Sequence, residues 1–124
     1  MKESQLVAYA AINLFIAIGA GAFGAHALKN YLSADMLSVW QTAVQYQMLH
    51  GLALLALASL LPRWDHKVIR RSAIAMLLGI ALFSGSLYVL AYSGIRGLGA
   101  ITPIGGVAFL FAWANLAWAA LRRK

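Results

Sequence analysis

The charged residues of this chain fall between long apolar runs, and there are four such runs. A run of about 20 apolar residues is what an α-helix needs to cross roughly 30 Å of hydrocarbon, so the pattern predicts four membrane spans. Their expected limits are Ser4 to Ala27, Ser33 to Leu61, Val68 to Ser93 and Thr102 to Leu121. Pro62 stops the second, because proline cannot continue a helix. Thr102-Pro103 reads as an N-cap followed by a proline at the first position of the fourth. No segment alternates in the manner of barrel strands. The fold class expected is all-α: an integral-membrane, antiparallel four-transmembrane-helix bundle, with residues 1–124 forming a single domain.

Composition agrees. Of 124 residues, 63% are hydrophobic and 10% charged, too few polar side chains to cover a water-soluble domain. The mean hydropathy is +0.79. Lys2, the following apolar stretch and Ala25-His26-Ala27 mimic a signal peptide with an A-x-A site, but Leu6 to Ala25 is longer than a usual h-region and is kept as a span. The chain has no cysteine, which excludes disulfides, thiolate metal sites and iron–sulfur clusters.

The net charge of +7 reads as topology rather than nucleic-acid binding. Lys2, Arg63, Lys67, Arg70, Arg71, Arg122, Arg123 and Lys124 share one side of the membrane, against Lys29 and Arg96 on the other. The positive-inside rule therefore expects the N-terminus and the C-terminus to be cytoplasmic. Tyr9, Trp64 and Trp118 are expected at the inner interface, with Tyr31, Trp40 and Tyr92 at the outer one.

In lipid, helices associate through close approach, so small residues three and four apart mark packing faces. Span one carries such a seam at Ala10, Asn13, Ala17, Ala20 and Gly24, and span four at Gly105, Ala108, Ala112, Asn115 and Ala119. Asn13 and Asn115 each fall roughly 10 Å from the inner edge. The expectation is that the seams face each other, with the asparagines within hydrogen-bond or one-water reach.

Span two is the most polar. At 100° per residue Thr42, Tyr46 and His50 form a stripe with Gln47 beside it, and span three adds Ser84, Ser86 and Tyr88. By helical rise His50 and Ser84 lie roughly 16 and 22 Å deep, close enough to meet. An intramembrane histidine is a functional candidate by default; the plainer alternative is a neutral, hydrogen-bonded ring that fixes helix register. His26, about 30 Å from the inner edge, lies too far from His50 for a shared metal or haem site. His66 reads as a loop residue, and Glu3, Asp35 and Asp65 are all terminal or in loops. Serine triads, metal-binding HExxH and Walker loops are missing, so no catalytic residue, cofactor or metal is expected. At the outer face, Lys29, Arg96 and the helix start at Thr102 form a candidate anion or lipid-headgroup site.

The blocks "GAFGAHALK", "WQTAVQYQMLHGLALL", "FSGSLYVL" and "ITPIGGVAFLFAW" resemble, in order and over nearly the whole chain, the small membrane-protein family named domain of unknown function 423. That family takes in YgdD-like bacterial inner-membrane proteins and transmembrane-protein-256-like relatives. The resemblance implies a multi-pass protein of the bacterial inner membrane and brings no activity, cofactor or catalytic residue. Its motif positions here are His26, Lys29, Tyr46, Gln47, His50, Ser84, Gly85, Ser86, Tyr88, Thr102, Pro103, Gly105 and Gly106. The leading expectation is a non-enzymatic protein acting through lipid or protein contacts, with membrane lipids, a second copy or another membrane protein as partners and no nucleic acid. The alternative is an oligomeric channel or transporter for protons or a small solute, with a polar path around His50.

Overall fold

The computed structural model describes residues 1–123; Lys124, counted above with the inner basic residues, lies outside the described residues. Four long helices account for the fold, each long and apolar enough to cross a membrane. Helix α1 spans Glu3–Leu28, and its first turn is tied by Gln5, whose Oε1 accepts from the Lys2 N–H at 2.8 Å. Helix α2 runs Ala34–Leu60, started by Ser33, whose hydroxyl accepts from the Met36 N–H at 3.2 Å, and followed by a 3₁₀ turn Leu61–Arg63 that contains Pro62. Helix α3 covers His66–Ser93, with Asp65 as N-cap. It ends at Gly94, whose φ of 73° is left-handed and whose N–H reaches Leu90 O at 2.8 Å. A 3₁₀ turn Arg96–Ala100 leads into α4, Thr102–Arg122.

The helix starts differ in detail from expectation. Residue 101, not Thr102, is the N-cap of α4; Thr102 is already helical and does not cap with its side chain. Its hydroxyl is instead drawn to Ser86 Oγ at 2.6 Å. Two helices each contain a π turn, Gly19–Gly24 in α1 and Ile80–Ser84 in α3. Each inserts an extra residue per turn and so shifts which faces the two halves of the helix present.

Packing follows chain order: α1 lies on α2, α2 on α3, and α3 on α4. Short connections make antiparallel neighbours, and the small residues decide how closely they approach. A Cβ on Gly21 would meet Val44 at 2.9 Å, one on Gly24 would meet Trp40 at 3.0 Å, and one on Gly51 would meet Leu14 at 3.0 Å. Gly79 and Gly105 do the same for α3 and α4, the first lying under the Phe109 ring and the second against the backbone at Phe83.

The seams of α1 and α4 therefore do not face each other. Ala17 and Gly24 belong to the α1–α2 interface, Gly105 and Ala112 to the α3–α4 interface. Asn13 bonds to α2 and to its own helix, while Asn115 bonds to α3, so the expected asparagine pair does not form. A row of small residues marks a face fit for close approach without naming the partner. Here each seam is used by the helix next to it in sequence.

The core is concentrated toward the end that carries the termini, where Leu6, Leu54, Leu57, Ile69 and Met76 are fully or almost fully buried. The outward faces are apolar: Phe15 is 80% exposed, Phe23 76%, Leu110 71% and Val107 64%. In water each such side chain would forgo roughly 1.5–3 kcal/mol of burial; in hydrocarbon that penalty disappears. This arrangement is that of a membrane bundle.

Candidate functional site

The polar residues of α2 and α3 separate into distinct layers. In the first, Gln47 is 4% exposed and links three helices. Its Nε2 donates to Asn13 Oδ1 on α1 at 3.2 Å, and its Oε1 accepts from the Tyr88 hydroxyl on α3 at 2.8 Å. Asn13 Nδ2 in turn donates to Tyr9 O at 2.8 Å. Trp40 stands beside this layer. Its ring meets Tyr88 edge-on at 4.7 Å, and its Nε1–H donates to Ala20 O, inside the α1 π turn, at 2.9 Å.

The second layer is built on His50, 2% exposed. Its Nδ1 lies 2.8 Å from Tyr46 O, and its Nε2 lies 3.1 Å from Trp113 Nε1 on α4. A carbonyl only accepts and an indole N–H only donates, so the two bonds together hold the ring as the Nδ1–H tautomer. Phe109 stacks on the imidazole at 3.6 Å with an 11° tilt, and Tyr46 packs on Phe83 at 4.4 Å. A groove of about 430 Å³ opens beside this cluster, lined by Tyr46, His50, Pro103, Gly106 and Trp113 among others.

The hydroxyls are committed elsewhere. Ser84 donates to Ala43 O at 2.8 Å, Ser86 to Phe83 O at 3.0 Å, and Thr42 to Ser38 O at 3.1 Å. His50 and Ser84 therefore do not bond to each other. Among the described residues no buried side-chain nitrogen or oxygen is left without a partner. The seven residues Thr42, Tyr46, Gln47, His50, Ser84, Ser86 and Tyr88 make separate helix-to-helix and local bonds instead of one continuous path. Among the described residues, no group of three or more His, Asp or Glu could hold a metal ion.

At the end opposite the termini, Lys29 and Arg96 are exposed residues of two different connections. The Thr102 hydroxyl, at the helix start that was expected to join them, is bonded to Ser86 Oγ at 2.6 Å. His26 is exposed in the last turn of α1.

The charged cavity lies at the other end. Arg63, Lys67, Arg71, Arg122 and Arg123 line a space of about 590 Å³ together with Trp64, Trp118 and Asn115; Asp65 is the acidic residue among those lining it. Arg123 is fastened in place, its guanidinium 4.3 Å over the Trp64 ring and its Nη2 donating to Arg63 O at 2.9 Å. Arg122 reaches over Trp118 at 5.8 Å. Asn115 holds the wall by donating to Val68 O at 3.1 Å and to Ser72 Oγ at 2.9 Å. Counting these cations for topology alone misses the cavity. The available signal was the pairing of tryptophan with arginine at the span ends, Trp118 with Arg122 one helical turn apart. Trp113 and Phe109, the partners of His50, carried no mark that set them apart from other aromatic residues of span four.

A family model described as "Protein of unknown function (DUF423)" matches residues 20–106. The chain belongs to this family. It is 52% identical over 108 residues to the UPF0382 membrane protein SSP2132 of Staphylococcus saprophyticus, covering 86% of this chain and 88% of that one. To the UPF0382 membrane protein YwdK of Bacillus subtilis it is 45% identical, covering 90% and 92%. The UPF0382 inner membrane protein YgdD of Escherichia coli is 42% identical, covering all of this chain and 95% of its own length. No solved structure matches. This DUF423 chain is thus a multi-pass protein of the bacterial inner membrane, and the matched stretch contains Tyr46, Gln47, His50 and Tyr88 but not their partners Asn13, Phe109 and Trp113, and attaches no activity to them.

Proposed function

We propose that this DUF423 protein is non-enzymatic and works by contact, with both termini cytoplasmic and its basic end bound to anionic groups at the inner surface of the membrane. The observation that carries this reading is the cavity of five cations and two tryptophans at the end of the α3–α4 pair. Tryptophan favours the interfacial level of a membrane, and each basic residue near an anionic membrane surface contributes roughly 1 kcal/mol of attraction. The positive-inside rule supports the orientation, since Lys2, Arg63, Lys67, Arg70, Arg71, Arg122 and Arg123 belong to one end.

Transport has less in its favour. The residues that would line a polar path spend their bonding capacity on neighbouring helices and on the backbone of their own. The test is lipid analysis of the protein excised from its membrane in detergent-free polymer nanodiscs at low and high salt. Anionic lipid enriched over the bulk membrane, with enrichment falling as salt rises, is the expected result. Lipid of bulk composition at both salt concentrations would overturn the reading.

A further inference from the structure

The basic cavity does not end at Arg71. A second groove of about 530 Å³ begins at that same residue and continues along the α3–α4 seam. On α3 the walls pass from Lys67 and Arg71 to the adjacent pair Ile74 and Ala75 and on to Leu78 and Leu82, successive turns three or four residues apart, so one helical face lines both cavities. On α4 they pass from Arg122, Trp118 and Asn115 to Phe111, Ala108, Val107 and Ile104. The first part is cationic; beyond Arg71 the second is lined by apolar residues, with Ala75 and Ala108 among them, whose small side chains leave room between the helices.

We infer that this strip is a binding site for one anionic glycerophospholipid, with its phosphate among Lys67, Arg71 and Arg122 and an acyl chain lying in the groove from Ile74 to Leu82. The inference rests on the reading that the basic end binds anionic groups, and adds an occupant and an orientation. Its length fits. From Arg71 to Leu82 the helix rises roughly 16 Å, close to half of the ~30 Å hydrocarbon thickness, which is the depth of a single leaflet. A free phosphate would use the cationic part and leave the apolar part without purpose. Trp118, 62% exposed beside the cations, occupies the interfacial level that tryptophan favours.

The test reconstitutes the full chain in phosphatidylcholine nanodiscs holding a minor fraction of phosphatidylglycerol, and counts retained phosphatidylglycerol by native mass spectrometry. Removing two cations from the site, Arg71→Gln with Arg122→Gln, lowers retention about tenfold or more, whereas the off-site pair Lys2→Gln with Arg70→Gln, equal in charge, lowers it by a clearly smaller factor. Ile74→Trp, which fills the groove from a side chain already 39% exposed, lowers retention of the diacyl lipid, while the lipid-facing control Ile12→Trp, 56% exposed on α1, does not. Soluble glycerophosphoglycerol competes only weakly against the lipid.

The outcomes separate. If wild type retains phosphatidylglycerol and phosphatidylcholine alike, the reading of the basic end falls, and the site with it. If retention depends on Arg71 and Arg122 but Ile74→Trp behaves like Ile12→Trp, or if glycerophosphoglycerol displaces the lipid fully, the basic end binds anions and the lipid site is wrong. Equal losses from the on-site and off-site charge pairs would reduce the effect to net charge and also overturn the site.

Discussion

Replacing Gln47 by leucine is the sharpest perturbation of the bundle. The side chain is 4% exposed and makes two bonds to two different helices, with Asn13 on α1 and Tyr88 on α3. Leucine fills a similar volume, so little of the cost is a cavity. Interhelical hydrogen bonds in membranes average about 0.6 kcal/mol and reach about 1.7 kcal/mol. Two of them place the loss at about 1.2 kcal/mol, with a ceiling near 3.4 kcal/mol. Tyr88→Phe removes one of the two and is expected to cost about 0.6 kcal/mol. Because both variants delete the same Tyr88–Gln47 bond, the double variant should cost less than the sum of the singles, by about the energy of that bond. The assay is reversible unfolding in mixed micelles, read by circular dichroism, for the wild type, the two single variants and the double. Additive costs, or a Gln47→Leu protein as stable as wild type, would refute the claim that this layer holds three helices together.

Three further predictions follow from individual contacts. His50 is held as the Nδ1–H tautomer, so nitrogen-15 spectra should show a protonated Nδ1 and an unprotonated Nε2; Trp113→Phe, which removes the donor to Nε2, should destabilise by about 1 kcal/mol, whereas reversed nitrogen assignments would contradict the geometry. Gly105→Leu, driven into the α3 backbone at Phe83, should cost about 1–3 kcal/mol or more; Gly19→Ala, whose Cβ has nothing within 4 Å, should be neutral or stabilising by up to about 1 kcal/mol in the same unfolding assay. A membrane-impermeant thiol reagent added to intact cells should label Arg96→Cys and spare Lys67→Cys, and the opposite pattern would reverse the proposed orientation.

The spans were legible because the signal is coarse and repeated. The expected limits Ser4 to Ala27 and Val68 to Ser93 compare with observed helices Glu3–Leu28 and His66–Ser93. Helix partners were not legible from the seams, since Ala17 and Gly24 specify only that something may come close; whether α2 or α4 does so is decided by connection length and by bulk such as Val44 and Trp40 on the facing helix. Two π turns added to the difficulty. Helical rise put His50 and Ser84 at comparable depths without saying which way either side chain points, and an extra residue in α3 between Ile80 and Ser84 changes the face that half of the helix presents. His50 itself was legible as a buried group in need of partners, and the plainer alternative named the kind of bonds it makes. Trp113 was not, because an indole in an apolar helix is equally at home facing lipid, and only the tertiary fold brings its N–H to an imidazole. The basic cavity had its parts in view as a charge count, but a count has no shape. The shape comes from α4 lying on α3, which sets Arg122 and Trp118 opposite Lys67 and Arg71.

The most direct measurement of contact between the basic end and anionic lipid is a solid-state NMR distance between lipid phosphorus-31 and the guanidinium nitrogens of Arg71 and Arg122. It would be made on nitrogen-15 arginine-labelled protein in membranes containing phosphatidylglycerol, with Arg71→Gln and Arg122→Gln samples to assign the signals. A charge-assisted bond of roughly 2.8 Å from nitrogen to phosphate oxygen puts phosphorus about 4 Å from nitrogen, so strong dephasing of both arginines is predicted. Arg71 and Arg122 signals that show no phosphorus dephasing, in membranes where the protein is folded, would contradict the account.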